Sequence, residues 1–545
     1  MSAWNQALDA AGIRDPGLRA DYTRQRELAA RFKRSAYLAA RMLLPGPLFP
    51  HVVAATAFMH HSDNLLDSGP KDERAAAYAD WEKLVREGLA GGDSGHPVIR
   101  PLLHTSTAFP RLRGHVEEYL LTARADLEFA GFATKLALFV ADMFASVPRK
   151  DQRAKSDCYL RGLMTDGRRK SIQAMAGRLP DGNEQNLQQF VNQSTWDPAP
   201  VRRRIAERMT AVIGPEAWVV DDVSFPKDGR RSVGVAPQYC GALGKRANCH
   251  VHAATATASC PLQWRLFLPQ EWTDDAERRT ACKVPASVGH REKWRLALDI
   301  LDELVAWGLP PRVVLADAAY GTNASFRTAL TERGLGYVLS VRSDVTAHPF
   351  DAVPEAPLRK GTHGCWPQPR YRQAPPAVVA HATYLGRGAF TEVTWRQGSR
   401  GPMRFRFAAL RVRPASNSIT RPLRAQASAE QGWWDGVLPD LWLLAEWPDD
   451  AQTPTEYWFS NLPTDTTLKD LAGWAKLRWR VEHDYRELKH GLGLDHFEGR
   501  SWPGWHHHVT LATAAHAFLT EQRLSPKAPT PASPSTSSST SSRTY

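Results

Sequence analysis

Arg478-Trp-Arg-Val-Glu482-His-Asp-Tyr485-Arg-Glu-Leu-Lys489 reads as part of a helix. At about 100° per residue, Arg478, Glu482, Tyr485 and Lys489 fall on one face. One carboxylate flanked by two cations and an aromatic suits a face that holds a metal ion and grips a phosphate backbone. Toward the N-terminus lie two apolar runs that read as buried strands, each ending in aspartate: Trp218-Val-Val-Asp221-Asp222 and Val313-Val-Leu-Ala-Asp317. Two strand-end aspartates and a helix glutamate supply hard oxygen ligands and leave positions open for water and phosphate. Two divalent ions about 3.5–4 Å apart can activate a nucleophile and stabilise a leaving oxygen in line. The acids therefore point to phosphoryl transfer. Each also has a plainer reading, as a strand-end cap for the aspartates or as a partner of Arg478 or Arg486 for Glu482.

The 545 residues suffice for three or four domains, and 43% hydrophobic content supports sizeable cores. No apolar run approaches the roughly 18–20 residues of a membrane span. The first residues carry no basic segment followed by an apolar one, so no signal peptide is expected. Six scattered cysteines without a CxxC pair suggest free thiols in a reducing, cytoplasmic setting. The formal net charge is +12, and it is unevenly placed. Residues 1–134 hold 16 Lys+Arg and 16 Asp+Glu, so all of the excess lies beyond them. A neutral front and a basic remainder imply different partners, with nucleic acid for the second part.

Residues 1–134 read as helical almost throughout, and 135–213 as basic helices that either contact DNA or form a solvated linker bundle. From 214 to 339 strands and helices mix, with strands at Val219-Val220, Cys249–Thr257, Gln263–Leu268 and Val313–Ala316. Residues 340–460 look like a β-rich insertion, since Thr391–Trp395 and Arg404–Arg413 alternate at period two. Helix returns over 461–524, read as continuous from Thr467 to His490. The Ser/Thr/Pro-rich tail, 525–545, is expected to be disordered. Trp433, Trp434, Trp442 and Trp447 read first as core, with base stacking the alternative. His506-His507-His508 is not read as a metal site, because neighbours on a helix diverge by about 100°.

From about 135 to 524 the chain resembles DDE transposases of bacterial insertion sequences, in the group with a β-strand insertion before the last acid. Three motifs carry the resemblance. Arg478, Glu482 and Lys489 match an Arg, three residues, Glu, six residues, Lys signature; Ala475 replaces the tyrosine usual three residues before the arginine. Val220-Asp-Asp-Val-Ser-Phe-Pro-Lys227 and Asp317-Ala-Ala-Tyr-Gly321 match the two aspartate motifs. The resemblance implies an α/β, RNase H-like catalytic core with a β-rich insertion, preceded by all-α segments. It further implies Asp222, Asp317 and Glu482 as catalytic acids holding two Mg²⁺ or Mn²⁺ ions. Asp222 is preferred because it opens an Asp-x-Ser pattern, and Asp221 is the alternative. Lys227, Arg478, Tyr485 and Lys489 are expected to touch DNA, although Tyr485 equally suits a core position. The expected partners are element ends and target DNA, with a homodimer as the acting form and no membrane.

The front, 1–134, resembles the N-terminal part of bacterial squalene/phytoene synthases, carried by His60-His-Ser-Asp63-Asn-Leu-Leu-Asp67. In that family such an aspartate-rich helix binds diphosphate through Mg²⁺, and Asp63 and Asp67 lie at i and i+4, on one face. A working synthase needs a second such helix. Asp299-Ile-Leu-Asp302-Glu303 has different spacing and reads as a polar helix face. Asp63 and Asp67 are therefore expected to be vestigial, in a half-bundle that exposes apolar surface. The competing functions are a decayed DNA-binding remnant and, less well supported, an isoprenoid synthase.

Overall fold

The computed structural model describes residues 2–525 except 33, 68–70, 168, 226–228, 230, 236–247, 256, 357–367, 399–400 and 430–433. Residues 526–545 of the tail expected to be disordered, Trp433 and Lys227 therefore lie outside the described residues. The chain divides into two compact units, Met1–Leu138 and Phe139–Tyr545. No helix among the described residues is long and apolar enough to cross a membrane.

The first unit is all-helical. Two apolar clusters organise it, one around Trp4, Leu8, Tyr22 and Val53, the other around Phe58, Trp81, Val85 and Leu102. Asp63 lies on the helix Phe49–Asp67 and accepts a hydrogen bond from the Tyr119 hydroxyl. The expected exposed apolar surface is present in part: Met42 and Leu43 are 80% and 81% exposed, beside two well-packed clusters.

The second unit is built on one ten-stranded sheet: β1 (Ala217–Val223), β2 (Asn248–Ala254), β3 (Ser259–Arg265), β4 (Val313–Ala316), β5 (Tyr337–Val341), β6 (Ala347–Pro349), β7 (Thr391–Gly398), β8 (Gly401–Pro414), β9 (Leu441–Glu446) and β10 (Glu456–Ser460). Its first half runs β3-β2-β1-β4-β5, with β1, β4 and β5 parallel and β2 antiparallel to both neighbours. This is the order of an RNase H-like core. The insertion does not stand apart. β10 pairs antiparallel with β5 and continues the sheet through β9, β8 and β6, with β7 on β8. Trp447 packs edge-on against Phe390, and Trp442 and Trp434 join apolar clusters, as the core reading expects.

Strand alternation gives each sheet face its own helix layer. Ala217, Val219 and Leu315 face Leu471, Ala472, Ala475 and Val481 of the helices Leu468–Leu477 and Trp479–Arg486. On the other face Gln263 donates to Glu303 of the helix Lys293–Ala306 at 2.8 Å. The helices of 139–213 are not a loose linker. Tyr159 bonds His508 at 3.0 Å, and Arg208 pairs with Glu521, fixing them to the helix Trp502–Leu524. The three consecutive histidines are buried in that interface.

The continuous helix expected from Thr467 to His490 is interrupted. Leu468–Leu477 stops at Arg478, Trp479–Arg486 follows, and Glu487–Gly491 winds as a π-helix. A π turn spans more residues than an α turn, so Lys489 does not keep the single-face alignment expected of it. Gly321 closes the Asp317 motif for a steric reason: a Cβ there would collide with the Ser340 carbonyl oxygen of β5. Gly321→Ala is expected to cost about 3 kcal/mol in denaturant unfolding, the scale of core overpacking. A loss below about 0.5 kcal/mol, the scale of a neutral surface change, would show that the backbone yields there.

Candidate active site

β1 is buried along almost its whole length and pairs in parallel with β4, Val219 beside Leu315 and Val220 beside Ala316. Extending that register by one residue brings Asp221 level with Asp317. Residues level in a parallel pair share a face, and strands lie about 4.8 Å apart. Asp221 therefore shares the face of Val219, toward the helix that carries Glu482. Asp222 belongs to the other face.

Hydrogen bonds agree with this division. Arg478 donates from Nη1 to Asp221 Oδ2 at 2.9 Å and from Nη2 to Glu482 Oε1 at 3.3 Å. Its guanidinium fork thus spans the strand-end acid and the helix acid. Asp222 is clasped by Lys293 and by the Tyr320 hydroxyl, which donates to Oδ1 at 2.6 Å. Lys293 and Tyr320 were not identified from sequence, though Tyr320 lies inside the Asp317 motif. Asp317 accepts from the backbone N–H groups of Ala319 and Tyr320, at 3.0 and 3.4 Å. The helix cap is thus present, and the carboxylate also raises the pKa of both Asp221 and Asp222 by repulsion.

Burial pushes the Asp221 carboxyl up to about 7; Arg478 offsets part of this and Asp317 adds to it. Burial also raises Asp222, against the pull of Lys293 and Tyr320. Glu482 is the outlying member, with a side chain 64% exposed. As placed, no three acids, histidines or cysteines among the described residues converge closely enough to hold a metal ion. Tyr485 is half-buried, edge-on to His252 at 6.0 Å, which favours its core reading over a free stacking face.

The helix Trp479–Arg486 is pinned by a residue that sequence reading passed over. Asp484 is buried and accepts from Ser259 at 2.7 Å, with His252 Nδ1 at 2.8 Å. Burial pushes its carboxyl upward, but the His252 bond and its neighbours outweigh that and hold it below the usual range. His252 and Ser259 sit on β2 and β3, so this network fixes Glu482 relative to the sheet. The surrounding stretch, Glu482-His-Asp484-Tyr-Arg-Glu487, is polar throughout and gave no signal that this acid is buried.

Comparison with known proteins agrees with both parts of the sequence reading. Residues 142–402 match the DDE superfamily endonuclease family and 29–139 match squalene/phytoene synthase. The first match contains Asp221, Asp222 and Asp317 and ends before Glu482. The chain is 27% identical over 349 residues to the probable transposase for insertion sequence element IS701 of Microchaete diplosiphon, covering 63% of this chain and 76% of that protein. It is 31% identical over 120 residues to the bifunctional protein CrtB/UppS of Streptomyces coelicolor, covering 22% of this chain and 21% of the other. The chain thus spans only about a fifth of that second relative.

The Asp221 environment has a measurable sign. A carboxyl raised in the folded state contributes stability that is present below its unfolded value near 4 and lost as pH rises through about 7. In chelator-containing buffer, Asp221→Asn is expected to match the native chain near pH 4 and to exceed its stability near pH 8 by about 3–4 kcal/mol. Denaturant midpoints at the two pH values check this. Equal midpoints at pH 8 would mean that Arg478 fully compensates the charge.

Proposed function

We propose that the second unit is a metal-dependent DNA transposase, cutting the ends of an insertion element and joining them to target DNA. The observation that carries this reading is that Asp221 and Glu482 share the Arg478 fork on the sheet face where register sets Asp317 level with Asp221. Of the two first-strand acids, Asp221 is preferred here over Asp222, because alternation turns Asp222 toward Lys293 and away from Glu482.

The donor set suits Mg²⁺ or Mn²⁺, being all carboxylate oxygen, and buried Asp221 beside Asp317 is short of positive charge. Asp221 and Asp317 would hold the metal from the sheet, with Glu482 completing the set from the solvent side. When bound, divalent ions supply charge for activating the nucleophile and stabilising the leaving oxygen. Arg478 keeps Asp221 and Glu482 within reach of one guanidinium. Asp484 holds the Glu482 helix on β2 and β3. Lys293 and Tyr320 fix Asp222 and with it the end of β1. Lys489 and Lys227 are proposed phosphate contacts, with Arg478 contributing from the inner edge, while Tyr485 packs against His252 and positions the helix. The acting form is proposed as a homodimer on the element's own ends, in a bacterial cytoplasm.

The first unit is read as a synthase remnant with Asp63 and Asp67 vestigial, joined when an element entered a synthase gene. Sequencing the locus tests this, since the history requires an inverted repeat near the codon for Thr134. A specific observation supports the rival reading of a decayed, DNA-binding remnant: Glu482 stands mostly in solvent.

Cleavage of duplexes carrying the element ends, in Mg²⁺ or Mn²⁺, separates the two. Glu482→Gln and Asp221→Asn are each expected to lower the rate at least about a hundredfold while end binding persists. Asp222→Asn is expected to lose less, through strand-end positioning. Binding without cleavage by the native chain would establish the remnant instead. If Asp222→Asn is the more damaging of the pair, the assignment within the first motif is reversed.

A further inference from the structure

A cavity of about 420 Å³ opens between two helix N-termini in the second unit, those of Pro198–Ile213 and Trp502–Leu524. Both helices are long, 16 and 23 residues, so each presents the positive end of a macrodipole there. Arg202 lines the cavity and is only 6% exposed. Among the described residues its one hydrogen bond is a long one, from Nη1 to the Trp264 carbonyl at 3.3 Å, and its Nε has no partner. It makes no ion pair among the described residues. Burial, with Arg265 nearby, drags its guanidinium down to about 10.

Other residues of the lining carry buried polar atoms that are equally unengaged among the described residues. Both ring nitrogens of His506, the indole N–H of Trp196 and the side-chain amide of Asn192 lack partners. Lys283, exposed at the rim, adopts φ 55°, the one left-handed non-glycine residue among those described. The lining carries one acid, Asp197, whose Oδ1 is spent capping Ala199 at 2.9 Å. Glu303 and Asp197 act on Arg202 only through space, and neither forms an ion pair with it among the described residues; a buried cation left without a directly paired counter-charge destabilises a fold unless an anion joins it. Guanidinium forks and helix N-termini both favour phosphate oxygens. The volume exceeds what a bare phosphate needs, and Trp502 offers an aromatic wall for an attached organic group.

We propose that this cavity is a phosphate-ester site, with Arg202 and Lys283 gripping the phosphate and Trp502 flanking the group it carries. Identifying that ester with a nucleotide of a DNA strand rests on the transposase reading; the anion site itself does not.

Calorimetric titration of the full chain with inorganic phosphate, thymidine, thymidine 5′-monophosphate and a ten-nucleotide single strand tests it. The monophosphate is expected to bind about tenfold more tightly than thymidine, and Lys283→Gln and Arg202→Met each to weaken it about tenfold, the scale of one charged hydrogen bond. Arg202→Met without phosphate should unfold at or above the native temperature, and should lose the rise that phosphate gives the native chain. Strand binding that weakens in parallel places DNA in the cavity. Strand binding unchanged in both variants would leave a site for free phosphate esters and overturn only its link to DNA. No phosphate-dependent binding, or binding equal in Lys283→Gln and the native chain, would overturn the site and leave a water-filled polar cavity. Strand cleavage by the same variants is scored separately, so a failed cavity and a failed transposase reading are distinguishable.

Discussion

The parallel pairing of β1 with β4 is the constraint on which the second unit depends. It fixes which residues of two sequence-distant strands stand side by side, and alternation then decides which of them look toward the same helix. Asp221 and Asp317 become neighbours across 96 residues of chain through register alone. Burial does the rest electrostatically. Two carboxylates at the end of an apolar strand pair repel each other, and the nearest compensating charge is the single guanidinium of Arg478.

A second constraint holds the third acid in place. Glu482 is on a helix of only eight residues, bounded by an irregular turn and a π segment. So short a helix has little intrinsic stability. Its position comes from Val481 in the apolar cluster and Asp484 in the polar network with His252 and Ser259. The exposed face therefore inherits its placement from the buried one.

Much of this was legible in the sequence. The strands β1, β2 and β4, the helix Lys293–Ala306 and the period-two strands β7 and β8 occur about where patterning puts them, whereas β3 begins four residues before the expected Gln263 and β5 was not expected. The acidic residues were found because motif spacing singles them out. The sequence reading preferred Asp222, and what it could not show was which of Asp221 and Asp222 faces the Glu482 helix. A pair of adjacent acids looks the same from either face, and only the register of Val219 with Leu315 and the positions of Lys293 and Arg478 separate them. The π turn was likewise hidden, since Glu487–Gly491 has ordinary helical composition. Of the insertion's strands only β7 and β8 were visible; β10, which pairs with β5, was not, and that pairing joins segments over a hundred residues apart.

That last pairing has a topological consequence. The chain leaves the core at Val341 and re-enters it at Tyr457, and these two residues are directly paired across β5 and β10. Everything between them is a side excursion whose two ends already touch, so its length imposes almost no closure cost on the core. Only the parts of such a segment away from the core are free to change length, because Val393, Phe407 and Leu444 pack in one cluster with Ala475 and Val481, and Lys476 pairs with Glu446. The small closure cost is what lets so wide a gap in chain separate Asp317 from Glu482.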